Sequence, residues 1–186
     1  MPFSHSSPYA QLTLQQQACI GRFVTEWANA EFYLGMLLGR LLGTPEYLAR
    51  TYTDFLGAVQ IQQAIAQALE IHHHRYGDRL VQEALAKEVA GLIRRIDKLR
   101  SLRNKFAHYC WMRNTDDGMY GTPLSGASPY TKRGSRSDIE ITVADIDRAH
   151  DELFAVNSRL EEIVAEIPAV PEEAYIATFK RAQLSA

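Results

Sequence analysis

Apolar residues recur at three- and four-residue steps over four long stretches of this chain. At about 3.6 residues per turn, that spacing stacks them on one face of a helix. The first stretch begins near Thr13 and carries Ile20, Phe23, Val24, Trp27, Leu34, Leu37, Leu38 and Leu41. Gly43-Thr44-Pro45 stops it, since Gly suits a left-handed cap and Pro the first position of the next helix. The second stretch runs from Pro45, breaks near Thr53–Gly57, and resumes through Val59, Ile61, Ile65 and Leu69 to His72-His73-His74. Tyr76-Gly77-Asp78 reads as a turn. The third stretch extends from about Asp78 to about His108, with Leu80, Leu85, Val89, Leu92, Ile93, Ile96, Leu99, Leu102 and Phe106 at its apolar positions. The fourth starts at about Ala144 and carries Ile146, Leu153, Phe154, Val156, Leu160, Ile163, Val164 and Ile167, before Pro168 and Pro171 end it. Pro171 to Arg181 reads as a short last helix or a packed tail.

Between the third and fourth stretches the helical period is lost. Trp111 to Ser137 holds four Gly, two Pro and many Ser and Thr, and Asn114-Thr115-Asp116-Asp117-Gly118 is a strong turn signal. Ile139, Ile141 and Val143 alternate with polar residues, which predicts a short strand, and Tyr109–Arg113 is expected to pair with it. The pattern therefore predicts an all-α protein, an antiparallel four-helix bundle with room for one or two extra short helices. A β-hairpin-like insertion lies between the third and fourth long helices. A single domain over residues 1–186 is expected, with a loose leader (1–11), the insertion (111–142) and a tail (168–186).

Composition adds limits. With 186 residues, 46% hydrophobic and 23% charged, the chain can bury a core, which excludes disorder over most of its length. Cys19 and Cys110 form no disulfide framework and fit a reducing compartment. No apolar run approaches the ~20 residues of a membrane span. The opening residues lack a secretory pattern, so a cytoplasmic protein with no membrane partner is expected. The net charge of −2 taken alone argues against nucleic acid. Its distribution changes that. Residues 91–136 hold ten Lys and Arg against three Asp and Glu, a balance of +7, and the rest of the chain holds ten against nineteen, a balance of −9. A local basic zone can attract phosphate whatever the total, and the same polarity would equally serve a protein contact.

That basic zone contains Leu102-Arg103-Asn104-Lys105-Phe106-Ala107-His108, the end of the third predicted helix. At about 100° per residue, Arg103 falls inside or beside the apolar arc of Leu99, Leu102 and Phe106. Asn104 and His108 form an i, i+4 pair on a second face. A guanidinium beside an apolar stripe must find a carboxylate, a phosphate or a wet cleft. Glu31 lies along the Trp27–Leu34 stripe of the first helix and is expected to pair with Arg103 or another cation of the third. The run His72-His73-His74 cannot bind one ion from a helix, because consecutive residues diverge by about 100°. It is expected to be a solvated cation cluster at a helix end.

The Arg103-Asn104 pair followed by His108, at the end of a long helix in a helical bundle, resembles the HEPN superfamily. Trp27-x-x-x-Glu31, the aromatic Trp111 after the motif and the Asp145 and Asp147 turn that opens the last long helix are similar to one prokaryotic branch. The resemblance implies an RNA-binding protein with metal-independent endoribonuclease activity, in a toxin or defence setting. It implies a homodimer whose two motifs form one cleft, and an antitoxin or other protein partner. On that reading His108 is the acid/base, Arg103 clamps phosphate and Asn104 orients the pair. Arg100, Lys105, Lys132 and Arg133 are ancillary phosphate contacts, joined by Arg136, and Glu31 supports the site. No metal or cofactor is called for, since imidazole exchanges protons near neutrality and arginine binds phosphate oxygens bidentately. One family subset carries Tyr two positions after the His, where a partner nucleotidyltransferase modifies it; here Cys110 occupies that place. The alternative is a non-catalytic interaction or ligand-sensing module in which Arg103 and His108 are structural.

Overall fold

The computed structural model describes residues 11–123 and 138–184. Among them are six helices, α1 (Leu14–Leu41), α2 (Glu46–Thr53), α3 (Ala58–Tyr76), α4 (Glu83–His108), α5 (Val143–Glu166) and α6 (Glu172–Leu184). Three strands, β1 (Tyr109–Arg113), β2 (Gly118–Pro123) and β3 (Ile139–Thr142), separate α4 from α5. The protein is mostly helical, with a small antiparallel sheet in the order β1-β2-β3.

The caps explain where the helices begin and end. Thr13 and Gln16 form a reciprocal box at the start of α1: the Gln16 amide donates to the Thr13 hydroxyl (3.1 Å) and the Thr13 amide to the Gln16 side-chain oxygen (2.9 Å). Gly43, at φ 60°, lets the Thr44 amide reach back to the Gly39 carbonyl and the Gly43 amide to that of Arg40. Gly77 ends α3 in the same left-handed region, and Asp78 follows at φ 55°. Two successive left-handed residues cannot belong to a right-handed helix. They end α3, and α4 starts at Glu83 rather than near Asp78; in the non-helical residues between, Val81 is buried and Leu80 exposed.

The sheet differs from expectation in two respects. β1 pairs with β2, and β2 with β3, so the predicted pairing of Tyr109–Arg113 with the Ile139 segment is replaced by a central strand within the segment expected to be loop. Gly-Met-Tyr-Gly-Thr-Pro has neither alternation nor β-branched enrichment to announce a strand. Gly121 is nonetheless required there: a Cβ on it would lie 2.9 Å from the Trp111 ring, its cross-strand partner. Val143, expected to extend the last strand, is the first residue of α5. Pro171 to Arg181 falls largely within α6.

The described chain gathers into two compact units. The first takes residues up to Ala28 and Ile96–Ala155, the sheet among them. Its buried residues include Phe23, Trp27, Ile96, Phe106, Met119, Ile146 and Leu153. The second takes Asn29–Arg95 and Val156–Ala186 and buries Leu34, Leu37, Leu38, Ile65, Leu92, Leu160 and Ile163. Val24 and Phe154, placed on apolar faces by periodicity, are largely exposed. No helix among the described residues is long and apolar enough to cross a membrane.

Candidate functional site

The motif occupies the last turn and a half of α4, in the first unit. Phe106 points into the core and stacks edge-on against Phe23 at 5.4 Å. That anchor sets the rotation of the helix end. Arg103, on the flank of the Leu99–Phe106 stripe, is half-buried, whereas Asn104 and His108 face solvent. The Arg103 guanidinium donates to the Asn104 side-chain oxygen at 3.4 Å, a long bond. No hydrogen bond, ion pair or ring contact reaches His108 among the described residues. An imidazole left this way keeps both nitrogens for a substrate or a second protein.

The α4 end is held by a residue whose role the sequence did not disclose. The Trp111 indole N–H donates to the Lys105 carbonyl at 3.2 Å, satisfying one of the carbonyls a helix leaves open at its C-terminus. Its ring packs on Phe106 (5.1 Å) and lies against Gly121. Helix therefore passes into strand at His108–Tyr109 with no linker, and His108 sits at the seam. An aromatic directly after a helical period, with a glycine on the facing strand, is the signal for such a tie.

A second anchor fixes the β1–β2 turn. Gln16 is fully buried, and its side-chain amide donates to the carbonyls of Thr115 (3.0 Å), Asp116 (3.1 Å) and Gly118 (3.0 Å). Thr13-x-x-Gln16 is legible as a capping box; the onward bonds to residues about a hundred positions away are not. At the other end of the sheet, the hydroxyls of Tyr120 and Thr122 hydrogen-bond to the Asp138 carboxylate. These bonds lower the Asp138 pKa, and the same pairing raises that of Tyr120.

The remaining candidates fare differently. Arg100 lies 3.0 Å from the Asp97 carboxylate, so part of its charge is already answered. Lys105 is half-buried and its backbone serves Trp111. Lys132, Arg133 and Arg136 lie outside the described residues. Glu31 belongs to the second unit, where it borders a cavity, and Arg103 to the first. The histidine run is corrected in part. His72 is buried, with Nε2 2.8 Å from the Leu41 carbonyl, because its position falls on the inward face of α3. His73 meets Asp78 at 3.0 Å, and His74 is exposed as expected.

Comparison with protein-family models, with curated proteins and with solved structures finds no match for this chain.

Proposed function

We propose that this protein is an RNA-binding endoribonuclease of the HEPN type. It would act without a metal through Arg103, Asn104 and His108, with the site completed by a second copy of the chain. The observation that carries the reading is the state of the motif: His108 is exposed and uncommitted among the described residues, one helical turn from Asn104 and five residues from a half-buried guanidinium. A purely structural lock would bury and satisfy that imidazole.

The chemistry suits these groups. His108 accepts the proton of a ribose 2′-hydroxyl as its oxygen attacks the adjacent phosphorus. The bond from phosphorus to the 5′-oxygen breaks, and that oxygen takes a proton from the imidazolium of the other copy. The products are a 2′,3′-cyclic phosphate and a 5′-hydroxyl. Arg103 binds the non-bridging oxygens, whose charge grows in the transition state. Asn104, whose side-chain oxygen accepts from the guanidinium, would help to orient it. The test is cleavage of a single-stranded RNA with chelator present. Wild type should leave cyclic phosphate ends, and His108→Ala and Arg103→Ala should each lose about a hundredfold or more in rate with folding intact. Equal residual cleavage by all three proteins would refute the proposal.

A further inference from the structure

The second unit contains a cavity of about 260 Å³ that the RNA reading does not use. The C-terminal half of α1, α2 and the residues leading into α6 enclose it. Phe32 lines it, as do Gly39 of α1 and Ala49 of α2, which approach each other closely. A Cβ on Gly39 would lie 2.9 Å from that of Ala49, so only glycine permits the approach. Thr53 lines the cavity although its residue is only 6% exposed, and its hydroxyl has no hydrogen-bond partner among the described residues. A hydroxyl on a mostly buried residue at the edge of an open volume can bond a ligand atom or a water there.

The charges around the cavity choose the ligand. Four carboxylates border it (Glu31, Glu46, Asp54 and Glu172) against two guanidinium groups (Arg40 and Arg50). Arg50 already lies over the Phe32 ring, 5.2 Å from its centroid, so the ring face attracts a cation in this fold. Arg50 is weakly held: its contact with Glu46 is 4.0 Å and exposed. Displacing it would free both an aromatic face and a carboxylate.

We infer that this cavity binds a small organic cation, an amidinium, guanidinium or ammonium compound of fragment size. The ligand's flat or charged end would replace Arg50 over Phe32, Glu46 would take its charge and Thr53 would meet its polar edge. The volume lies just below that of drug-sized sites, which limits the ligand to a fragment.

The test uses the full chain and two isosteric probes, benzamidine and benzoate, by calorimetric titration. Benzamidine should bind saturably with Kd on the order of 1 mM, and benzoate should not. Phe32→Leu and Glu46→Gln should each weaken benzamidine about threefold. Arg50→Ala should strengthen it about threefold by vacating the ring. Arg40→Ala, which removes the other guanidinium of the lining without uncovering the ring, should strengthen benzamidine less than Arg50→Ala does; a general acidic surface would respond to both alike. Glu46 is exposed, so its variant keeps the test alive if Phe32→Leu fails to fold. Benzoate binding as tightly as benzamidine, no saturation by about 20 mM benzamidine, or weaker binding by Arg50→Ala would each overturn the inference.

Discussion

Two side chains, Trp111 and Gln16, carry more of the site's geometry than the motif residues do. Trp111 contributes one hydrogen bond and one face of packing to the end of α4, and the two can be separated. Trp111→Phe keeps a ring against Phe106 and Gly121 but removes the indole donor. It should cost about 1 kcal/mol in urea unfolding, the net worth of one hydrogen bond. Gly121→Ala leaves the donor in place and drives a methyl into the ring, 2.9 Å from its carbons. The sheet must give way, at about 1–3 kcal/mol. If Gly121→Ala proves neutral, the ring does not rest on that glycine. Gln16→Leu is a close match in size, so what it tests is polarity: three carbonyls of the β1–β2 turn lose their shared donor. A loss of about 1 kcal/mol is expected, the net worth of the bonding removed, because the Gly118 carbonyl keeps the Asn114 and Thr115 amides as donors and Thr115 and Asp116 are exposed to water.

At the scale of the element, α5 begins on a closed set of bonds. The Asp145 amide donates to the Thr142 hydroxyl (3.1 Å), while the Asp145 carboxylate accepts from that hydroxyl (2.6 Å) and from the Thr142 amide (3.2 Å). These bonds, the hydroxyl first, hold the Asp145 pKa below the usual carboxylate range, with a smaller share from Arg148. A depressed carboxyl stabilises the fold above its unfolded pKa, and the contribution is lost as pH falls through the folded value. Thr142→Ala should therefore cost about 1 kcal/mol at neutral pH, as loss of a cap does. The cost should begin to shrink as pH drops below about 4, where the unfolded carboxyl takes up its proton, and reach its minimum below the lowered folded pKa, where both states are protonated. A cost that stays constant down to pH 2 would mean that Asp145 has no part in it. This box also marks the limit of what the sequence discloses. The helices were legible because Phe23, Leu34, Ile65 and Leu153 repeat at helical steps and Gly43 and Gly77 punctuate them. β2 was not, because its glycines answer to the Trp111 ring, a contact made across the sheet. Val143 was misplaced for a related reason: it ends an alternating run, yet the Thr142 cap assigns it to the helix. Of the site, the placing of Phe106 on the core face and of Asn104 and His108 on a second face followed from the Leu99–Phe106 arc. The tie that holds it there needed three-dimensional contacts.

For the whole molecule the question is how a chain of net charge −2 would bind a polyanion. Glu83, Glu88, Asp138 and Asp145 all have depressed pKa values, each caused first by a side-chain hydrogen bond. Two of these are matched by cations, Glu83 by Lys87 and Glu88 by Arg159, which is also 2.7 Å from Glu162 and 3.0 Å from Glu166, whereas uncharged hydroxyls hold Asp138 and Asp145. Around the motif, Asp97 answers Arg100, whereas no carboxylate of residues 91–136 lies within ion-pair reach of Lys105 among the described residues. Affinity for RNA should then come from a few local cations, and its dependence on salt counts them. For single strands the slope of log K against log salt is about −0.7 per phosphate neutralised. If Arg100, Arg103 and Lys105 act alone, each copy of the motif should give a slope of about −2; adding Lys132 and Arg133 would bring it to about −3.5. Lys105→Ala should reduce the slope by about 0.7 and leave sequence preference unchanged, since a phosphate contact carries no base information. Filter binding of an oligonucleotide between 50 and 300 mM salt, over which the Debye length falls by a factor of about 2.5, spans enough range to separate the two slopes. A slope near zero would remove phosphate recognition, and with it the reading of Arg103 as a clamp.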